Sequence, residues 1–169
     1  SPTDDDPAPE QRGVMDRWIL SRLASLVHAT GADLDDYELT HAGRAIGDFI
    51  VDDLSNWYVR RSRDRFWGSG DAADTRAAFR TLYDVLEVLS RLLAPFTPFV
   101  ADWLHRALTG GRSVHLAGFP EPGTRDTGLE EGMRVTRVLA RLGRAAREEV
   151  RIRVRQPLGT LQAVVPDET

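Results

Sequence analysis

The sequence predicts an all-α fold: a bundle of four to five helices followed by a short C-terminal β-hairpin. Three observations lead to this prediction. Apolar residues recur every three or four positions over most of residues 14–149, which places them on one face of a helix. Pro95 and the Gly110-Gly111 pair interrupt these runs after short intervals, as in a helix bundle with short connections. Hydrophobic residues make up 41% of the 169 residues, enough to bury a core.

The first two helices are predicted after an unstructured start. Residues 1–13 are acidic, rich in Pro and poor in apolar residues, so we expect a flexible linker there. The first helix follows and ends near Gly31. Thr40 can cap a second helix, whose apolar stripe leads through Trp57 to an end at Trp67 and Gly68.

The next two helices complete the predicted bundle, residues 14–111. Asp71 is placed to cap the third helix, which ends before Pro95. Thr97 followed by Pro98 is typical of a cap and a first helical position, so a fourth helix is expected to run from there to Gly110 and Gly111.

A further module is predicted beyond the bundle. Residues 112–149 are expected to form an extended return segment and a fifth helix with an inward-facing stripe of Val135, Val138, Leu139, Leu142 and Ala146. From residue 150 apolar residues alternate with Arg, which is the period of a strand. Residues 150–169 are therefore predicted to be a β-hairpin that starts a junction region.

Several classes of function are excluded by what is absent. The chain has no cysteine, no Gly-rich phosphate loop and no His pair at metal-binding spacing. We therefore predict no catalytic residue, no metal site and no cofactor in this region. No apolar run approaches the roughly 20 residues that cross a bilayer, so we expect no membrane partner and a cytoplasmic location.

The net charge of −4 would argue against a nucleic-acid partner, but the charge is unevenly distributed. Residues 1–10 carry four acidic side chains and no basic one, whereas residues 134–155 carry eight Arg and two Glu. All 22 basic residues are Arg, whose planar fork suits phosphate. The basic charge thus lies on predicted secondary-structure elements.

Residues 52–67 (DDLSNWYVRRSRDRFW) combine aromatic side chains with four Arg at one helix end. An unpaired base offers a face to an aromatic ring and a phosphate to Arg, so the pattern is typical of single-stranded RNA binding. The alternative is that the rings are core residues and the Arg pair with nearby acids. The core explanation is favoured for Trp57, and both remain open for Trp67.

Two weaker patterns also suggest an RNA contact. Arg134, Arg137, Arg141 and Arg144 share the face of the fifth helix opposite its apolar stripe, where they could follow a phosphate backbone or form a solvated face. On the first helix, Trp18, Arg22 and Ser25 share a face beside the core stripe.

Five stretches resemble isoleucyl-tRNA synthetases in order and spacing, over about residues 14–160. They are VMDRWILSRL, DDLSNWYVRRSRDRFW, TLYDVLEVLSRLLAPFTPF, SVHL and RIRVRQPL. The LAPFTPF turn is shared by the valyl, leucyl, isoleucyl and methionyl enzymes, whereas SNWYVRRSR and VRQPL look isoleucyl. The chain departs from the family at Arg153, Phe119 and Asp102-Trp103-Leu104, which are surface or packing positions.

The resemblance implies a class I synthetase helix bundle that grips the anticodon stem and loop of tRNA(Ile). It implies as partners tRNA(Ile) and the catalytic and editing domains of the same polypeptide. By position, the implied tRNA-binding residues are Trp18, Arg22, Arg61, Arg65 and Trp67, with Arg137, Arg141 and Arg144 of the fifth helix added from the charge pattern. The HIGH and KMSKS signatures are missing, so ATP and Mg would act elsewhere in the full-length ligase and this region would be inactive alone.

Two alternatives remain open at this stage. The region could be the anticodon-binding domain of a valyl, leucyl or methionyl synthetase, or a helical bundle that docks a protein partner.

Overall fold

The computed structural model describes residues 6–68 and 71–164, and it divides into two compact units between Asp126 and Thr127. Within these described ranges the regular structure is helical and no strand occurs, which confirms the all-α prediction. The helices are α1 (Val14–Asp35), α2 (Leu39–Asp48), a π-helix (Phe49–Val59), α3 (Arg63–Trp67), α4 (Ala72–Leu93), α5 (Pro98–Thr109) and α6 (Thr127–Glu149). Short 3-10 turns span Pro9–Gln11 and Val114–Leu116.

The core of the first unit is centred on α1 and α4. α1 packs against α2, the π-helix and α4, and α4 packs in turn against α5. The largest buried side chains, all less than 2% exposed, include Trp18, Ile19, Ile46, Tyr58 and Leu92. Burial of each apolar side chain of this size contributes about 1.5–3 kcal/mol, so this contact surface holds the bundle together.

Three predicted helix ends are confirmed. Asp71 caps α4 by accepting a 2.9 Å hydrogen bond from the Ala73 amide. Pro98 occupies the first turn of α5, and Gly110 ends that helix at a left-handed φ of 63°, which glycine adopts without strain. The prediction at Thr40 is wrong, because α2 begins at Leu39. α1 also continues beyond Gly31, since a single glycine costs a helix only about 1 kcal/mol.

The second predicted helix is not one continuous α-helix. After α2 the chain forms an 11-residue π-helix, and the helical path breaks at Ser62 before the five residues of α3. A side chain at Gly68 would collide with the carbonyl oxygen of Asp64, so glycine is needed where α3 ends. The sequence pattern placed Trp67 at the end of the apolar stripe of the second helix. The break at Ser62 separates Trp67 from that stripe.

The segment before α1 is anchored, contrary to the prediction of a flexible linker. Arg12 is only 6% exposed, and its Nη1 donates to the Asp84 carboxylate at 2.8 Å and to the Thr81 hydroxyl at 3.0 Å. Its Nε also donates to the carbonyl of Pro7 at 2.9 Å. One buried ion pair thus orders residues that are too polar to order themselves. Residues 1–5 of the predicted linker lie outside the described ranges.

Residues 112–126 belong with the first unit. The Asp102 carboxylate of α5 accepts hydrogen bonds from the Ser113 hydroxyl at 2.6 Å and the Val114 amide at 2.9 Å. Further along, the Asp126 amide donates to the Ser21 hydroxyl at 2.8 Å. The first unit therefore extends past residue 111, where the sequence pattern placed the end of the bundle.

The second unit consists of α6 and the segment after it. No residue of α6 is buried and Leu142 is 54% exposed, so its apolar stripe does not face inward as predicted. Residues 150–164 form turns and irregular structure, and the predicted hairpin is not confirmed there. Instead, Nη1 of Arg147 donates to the carbonyls of Arg153, Val154 and Gln156 at 3.0, 3.2 and 2.8 Å. Residues 165–169 of that hairpin lie outside the described ranges.

Among the helices of residues 6–68 and 71–164, none has the length and apolar character needed to cross a bilayer.

We expect Asp71→Ala to lower the free energy of unfolding by about 1 kcal/mol, because the Ala73 amide loses its cap. Chemical denaturation measures the change. Asp64→Ala, at an exposed position on α3, is the control and should change it by less than about 0.5 kcal/mol. Equal losses in the two variants would contradict a capping role for Asp71.

Candidate nucleic-acid interface

The candidate interface lies where the π-helix gives way to α3. Five side chains of this segment, Trp57, Arg60, Arg61, Arg63 and Trp67, are here called the basic end. The three Arg are exposed, Trp57 is half-buried and Trp67 is exposed. The break at Ser62 brings this about, since the Ser62 amide still donates to the Tyr58 carbonyl while the chain turns into α3.

Trp67 is 73% exposed at the last position of α3. Phe66 lies edge-on to its ring, with centroids 5.7 Å apart, and also contacts the rings of Tyr58 and Phe79. An indole held on an aromatic cluster and open to solvent can receive a nucleobase on its free surface. The Trp67 ring therefore has a free surface, which the ligand-facing alternative requires.

Arg61 lies over the ring of Trp57, with its guanidinium carbon 4.6 Å from the ring centroid. This cation–π contact holds the side chain against the helix while leaving the guanidinium exposed. Arg61 is thus held in place and exposed, with Arg60 and Arg63 exposed beside it in the sequence.

Arg65 lies beneath the basic end and points into the protein. Its Nη1 and Nη2 donate to the two oxygens of the Asp16 carboxylate at 2.9 and 2.7 Å. Its Nε donates to the Asp74 carboxylate at 2.8 Å. The hydrogen bond to Asp16 is the main reason that the pKa of Arg65 is raised. These contacts oppose the prediction that Arg65 binds tRNA directly, because its donors already have carboxylate partners.

Asp16 is fully buried and takes a third hydrogen bond, 2.6 Å long, from the Tyr58 hydroxyl. Burial of the phenol, followed by this hydrogen bond to Asp16, raises the pKa of Tyr58. Asp16 was not among the predicted site residues. A signal existed: Asp16 falls on the same helical stripe as Ile19 and Leu23, and a carboxylate on a core face requires partners.

The two predicted contacts on the first helix are not brought to the surface together. Trp18 is 1% exposed, so the core covers its ring faces and the surface does not present them, which opposes the prediction that it contacts tRNA. Arg22 donates from Nε to the Asp53 carboxylate at 3.1 Å, although its side chain remains 39% exposed. Arg22 thus has a carboxylate partner within the bundle.

The predicted Arg stripe of α6 lies in the second unit. Arg141 and Arg144 are exposed and Arg137 is half-exposed. Arg134 differs, because it forms two hydrogen bonds with Glu131 one turn earlier, at 2.6 and 2.5 Å. That carboxylate raises the pKa of Arg134. Arg137, Arg141 and Arg144 stay predicted tRNA-binding residues.

Comparison with known proteins assigns the class. The family described as the anticodon-binding domain of tRNA ligases matches residues 16–164, which include both the buried Asp16 and the basic end. The chain belongs to this family.

Several proteins similar to this chain are isoleucine–tRNA ligases. The chain is 47% identical over 161 residues to an isoleucine–tRNA ligase of Porphyromonas gingivalis, a match that covers 94% of this chain and 14% of that protein. Isoleucine–tRNA ligases of Thermobifida fusca (48% over 159 residues) and Thermus thermophilus (43% over 168 residues) match 91% and 95% of it. The chain spans 14–16% of the length of these three relatives.

We expect Tyr58→Phe to lower the free energy of unfolding by about 1.5–3 kcal/mol, because the lost hydrogen bond goes to a buried carboxylate. The comparison is Tyr83→Phe, whose half-buried ring lies against Arg80, and it should change stability by less than about 0.5 kcal/mol. Urea denaturation of both variants checks the difference. Equal stability of Tyr58→Phe and wild type would show that the hydroxyl does not stabilise this site.

Proposed function

We propose that the chain is the anticodon-binding region of an isoleucine–tRNA ligase and that its basic end contacts the unpaired anticodon loop of tRNA(Ile). One observation carries the proposal: an indole that is 73% exposed ends a short helix that also presents exposed arginine. The similarity to isoleucine–tRNA ligases supports the choice of tRNA. RNA loops are commonly bound by such pairing of aromatic surface with guanidinium groups.

The proposed contact has two physical components. A base stacked on Trp67 contributes about 1–3 kcal/mol and requires no particular base, since every base has a π-face. Arg60, Arg61 and Arg63 supply charge for the adjoining phosphates and release counterions when they bind. Discrimination among tRNAs then rests on hydrogen bonds to base edges and on the fit of the loop.

The Arg stripe of α6 is proposed as a second contact. Arg137, Arg141 and Arg144 recur every three or four residues, which suits a run of phosphates rather than a single base. Residues 134–155 together carry eight Arg and two Glu, so the second unit attracts polyanions despite the net charge of −4 for the whole chain.

In the proposed reaction the region orients tRNA rather than performing chemistry. Catalytic and editing domains of the same polypeptide would use ATP and Mg to charge the acceptor end, and this region would need no cofactor of its own. Its contribution is to hold the tRNA so that the acceptor end reaches the catalytic domain. The proposed location is the cytoplasm, where protein synthesis occurs.

We expect Trp67→Ala to weaken binding of tRNA(Ile) by about 5- to 150-fold, the factor that corresponds to one stacked base. Fluorescence anisotropy with labelled tRNA at low salt gives the dissociation constant. Trp103→Ala is a matched control, because Trp103 is 70% exposed on α5 of the same unit. An unchanged affinity in a folded Trp67→Ala variant would exclude stacking on Trp67. Equal binding of tRNA(Ile) and a non-cognate tRNA would exclude this region as a source of selectivity for tRNA(Ile).

A second test addresses the phosphate contacts. We expect Arg61→Gln with Arg63→Gln to reduce the slope of log affinity against log salt by about 0.9 for each lost contact. Arg44→Gln with Arg112→Gln, two exposed positions in the same unit, controls for the same change in net charge. A slope that falls equally in the control would show that overall charge, rather than the basic end, determines binding.

The α6 contact has its own pair of variants. Arg141→Gln with Arg144→Gln should reduce the same slope by a similar amount, about 0.9 per contact, whereas Arg134→Gln should not, because Arg134 is already paired with Glu131. A wild-type slope in the double variant would confine the interface to the first unit.

A further inference from the structure

A carboxylate without access to solvent lies under the basic end. Asp16 on α1 receives a two-pronged bond from Arg65 on α3 and a third bond from Tyr58 on the π-helix. A buried ion pair of this kind is not required for stability, since well-packed apolar side chains of similar volume often serve equally well. The geometry of the Asp16–Arg65 pair therefore indicates a role in addition to stabilising the fold.

That geometry fixes α3 from two sides. Arg65 reaches Asp16 of α1 with both terminal nitrogens, and it reaches Asp74 of α4 with Nε at 2.8 Å. Nη2 of Arg65 also donates to the Asp74 main-chain carbonyl at 3.3 Å. A helix of only five residues has too few internal hydrogen bonds to hold its own direction. The contacts of Arg65 with α1 and α4 therefore contribute to its orientation.

Trp67 ends this helix two residues after Arg65. The ring is 73% exposed and lies edge-on to Phe66, with the two centroids 5.7 Å apart. Phe66 is in turn wedged against Tyr58 and Phe79, at 6.4 and 5.2 Å. Tyr58 thus belongs both to the carboxylate site and to the aromatic cluster that supports Trp67.

We infer that Asp16 and Arg65 are positioning residues for RNA binding, and that they act by fixing the direction in which Trp67 presents its ring. The inference rests on the proposed function, in which Trp67 stacks on a base. A pre-positioned ring loses less freedom when the base binds, so its contribution to affinity is larger. The role follows from the planar fork of Arg65 rather than from its charge, because a lysine has the charge without the two-point geometry.

The main experiment is a double-mutant cycle between Arg65→Lys and Trp67→Ala, with affinity for labelled tRNA(Ile) as the measurement. Arg65→Lys retains the positive charge and removes the fork. We expect it to weaken binding by most of the factor lost in Trp67→Ala. In the Trp67→Ala background it should then change affinity by less than about twofold, because residues that act through one another are not additive. Asp16→Asn should behave in the same way.

Two controls separate positioning from stability. Arg12→Lys removes another buried Arg contact, with Asp84, in the same unit and should lower stability without a change in affinity beyond about twofold. Ser90→Ala removes the buried hydrogen bond between the Ser90 hydroxyl of α4 and the His105 imidazole of α5, outside the Asp16 site and the aromatic cluster, so it should also retain affinity. Thermal unfolding followed by circular dichroism shows that each variant is folded at the temperature of the binding assay.

A measurement without RNA tests the same inference independently. With 5-fluorotryptophan incorporated, each of the four Trp gives a fluorine resonance, and Trp67 is assigned by its loss in Trp67→Ala. Arg65→Lys should shift or broaden the Trp67 resonance and leave that of Trp103, which is similarly exposed, unchanged. This spectrum tests the positioning role of Arg65 even if Asp16→Asn does not fold.

The outcomes are distinguishable. Wild-type affinity in Trp67→Ala would remove the proposed stacking and with it the premise of the inference. A loss in Trp67→Ala combined with wild-type affinity in folded Arg65→Lys would overturn the inference alone. Additive losses in the double variant would also overturn it, since Arg65 would then act on RNA independently of Trp67. An unchanged Trp67 resonance in Arg65→Lys would have the same consequence.

Discussion

The bond between the buried Asp16 carboxylate and Arg65 is the constraint on which the arrangement of the first unit's basic end depends. It joins residues 49 positions apart, and the Tyr58 hydroxyl adds a contact 42 positions from Asp16. Removal of one partner from such a site leaves an uncompensated charge in a place that water does not reach. α1, the π-helix and α3 are therefore held in one arrangement, and the exposed residues of the basic end are built on it.

This constraint divides the arginines of the first unit by task. Arg12 and Arg65 are bound to carboxylates inside the bundle and join segments far apart in the sequence. Arg60, Arg61 and Arg63 are exposed at the end of the π-helix and in α3. A net charge of −4 conceals the division, since the sum counts a buried, neutralised guanidinium and an exposed one alike. A polyanion encounters the local distribution and not the sum.

The parts of the fold that sequence could predict are those decided by near neighbours. Asp71, Pro98 and Gly110 act within two or three residues of their own position, and each ends or begins a helix as expected. The carboxylate site depends on partners more than 40 residues away. Composition alone could therefore not tell a buried Arg65 from an exposed Arg61. The alternation at 150–155 likewise suggested a strand, yet in the structure Arg147 binds carbonyls of that segment.

The same limit explains the two tryptophans whose roles the pattern did not separate. Trp18 falls next to Ile19 on α1 and is enclosed by the core, whereas Trp67 follows the break at Ser62 and is left outside. Exposure alone still does not identify a binding surface, since Trp103 is 70% exposed as well. The local charge differs between the two. Trp103 adjoins Asp102, whose carboxylate is bound by Arg106 and Ser113, while Trp67 shares its segment with exposed arginines. Trp103 thus lies beside an arginine already paired with a carboxylate, whereas Trp67 shares its segment with three exposed arginines, so local charge as well as exposure favours Trp67 for the proposed interface.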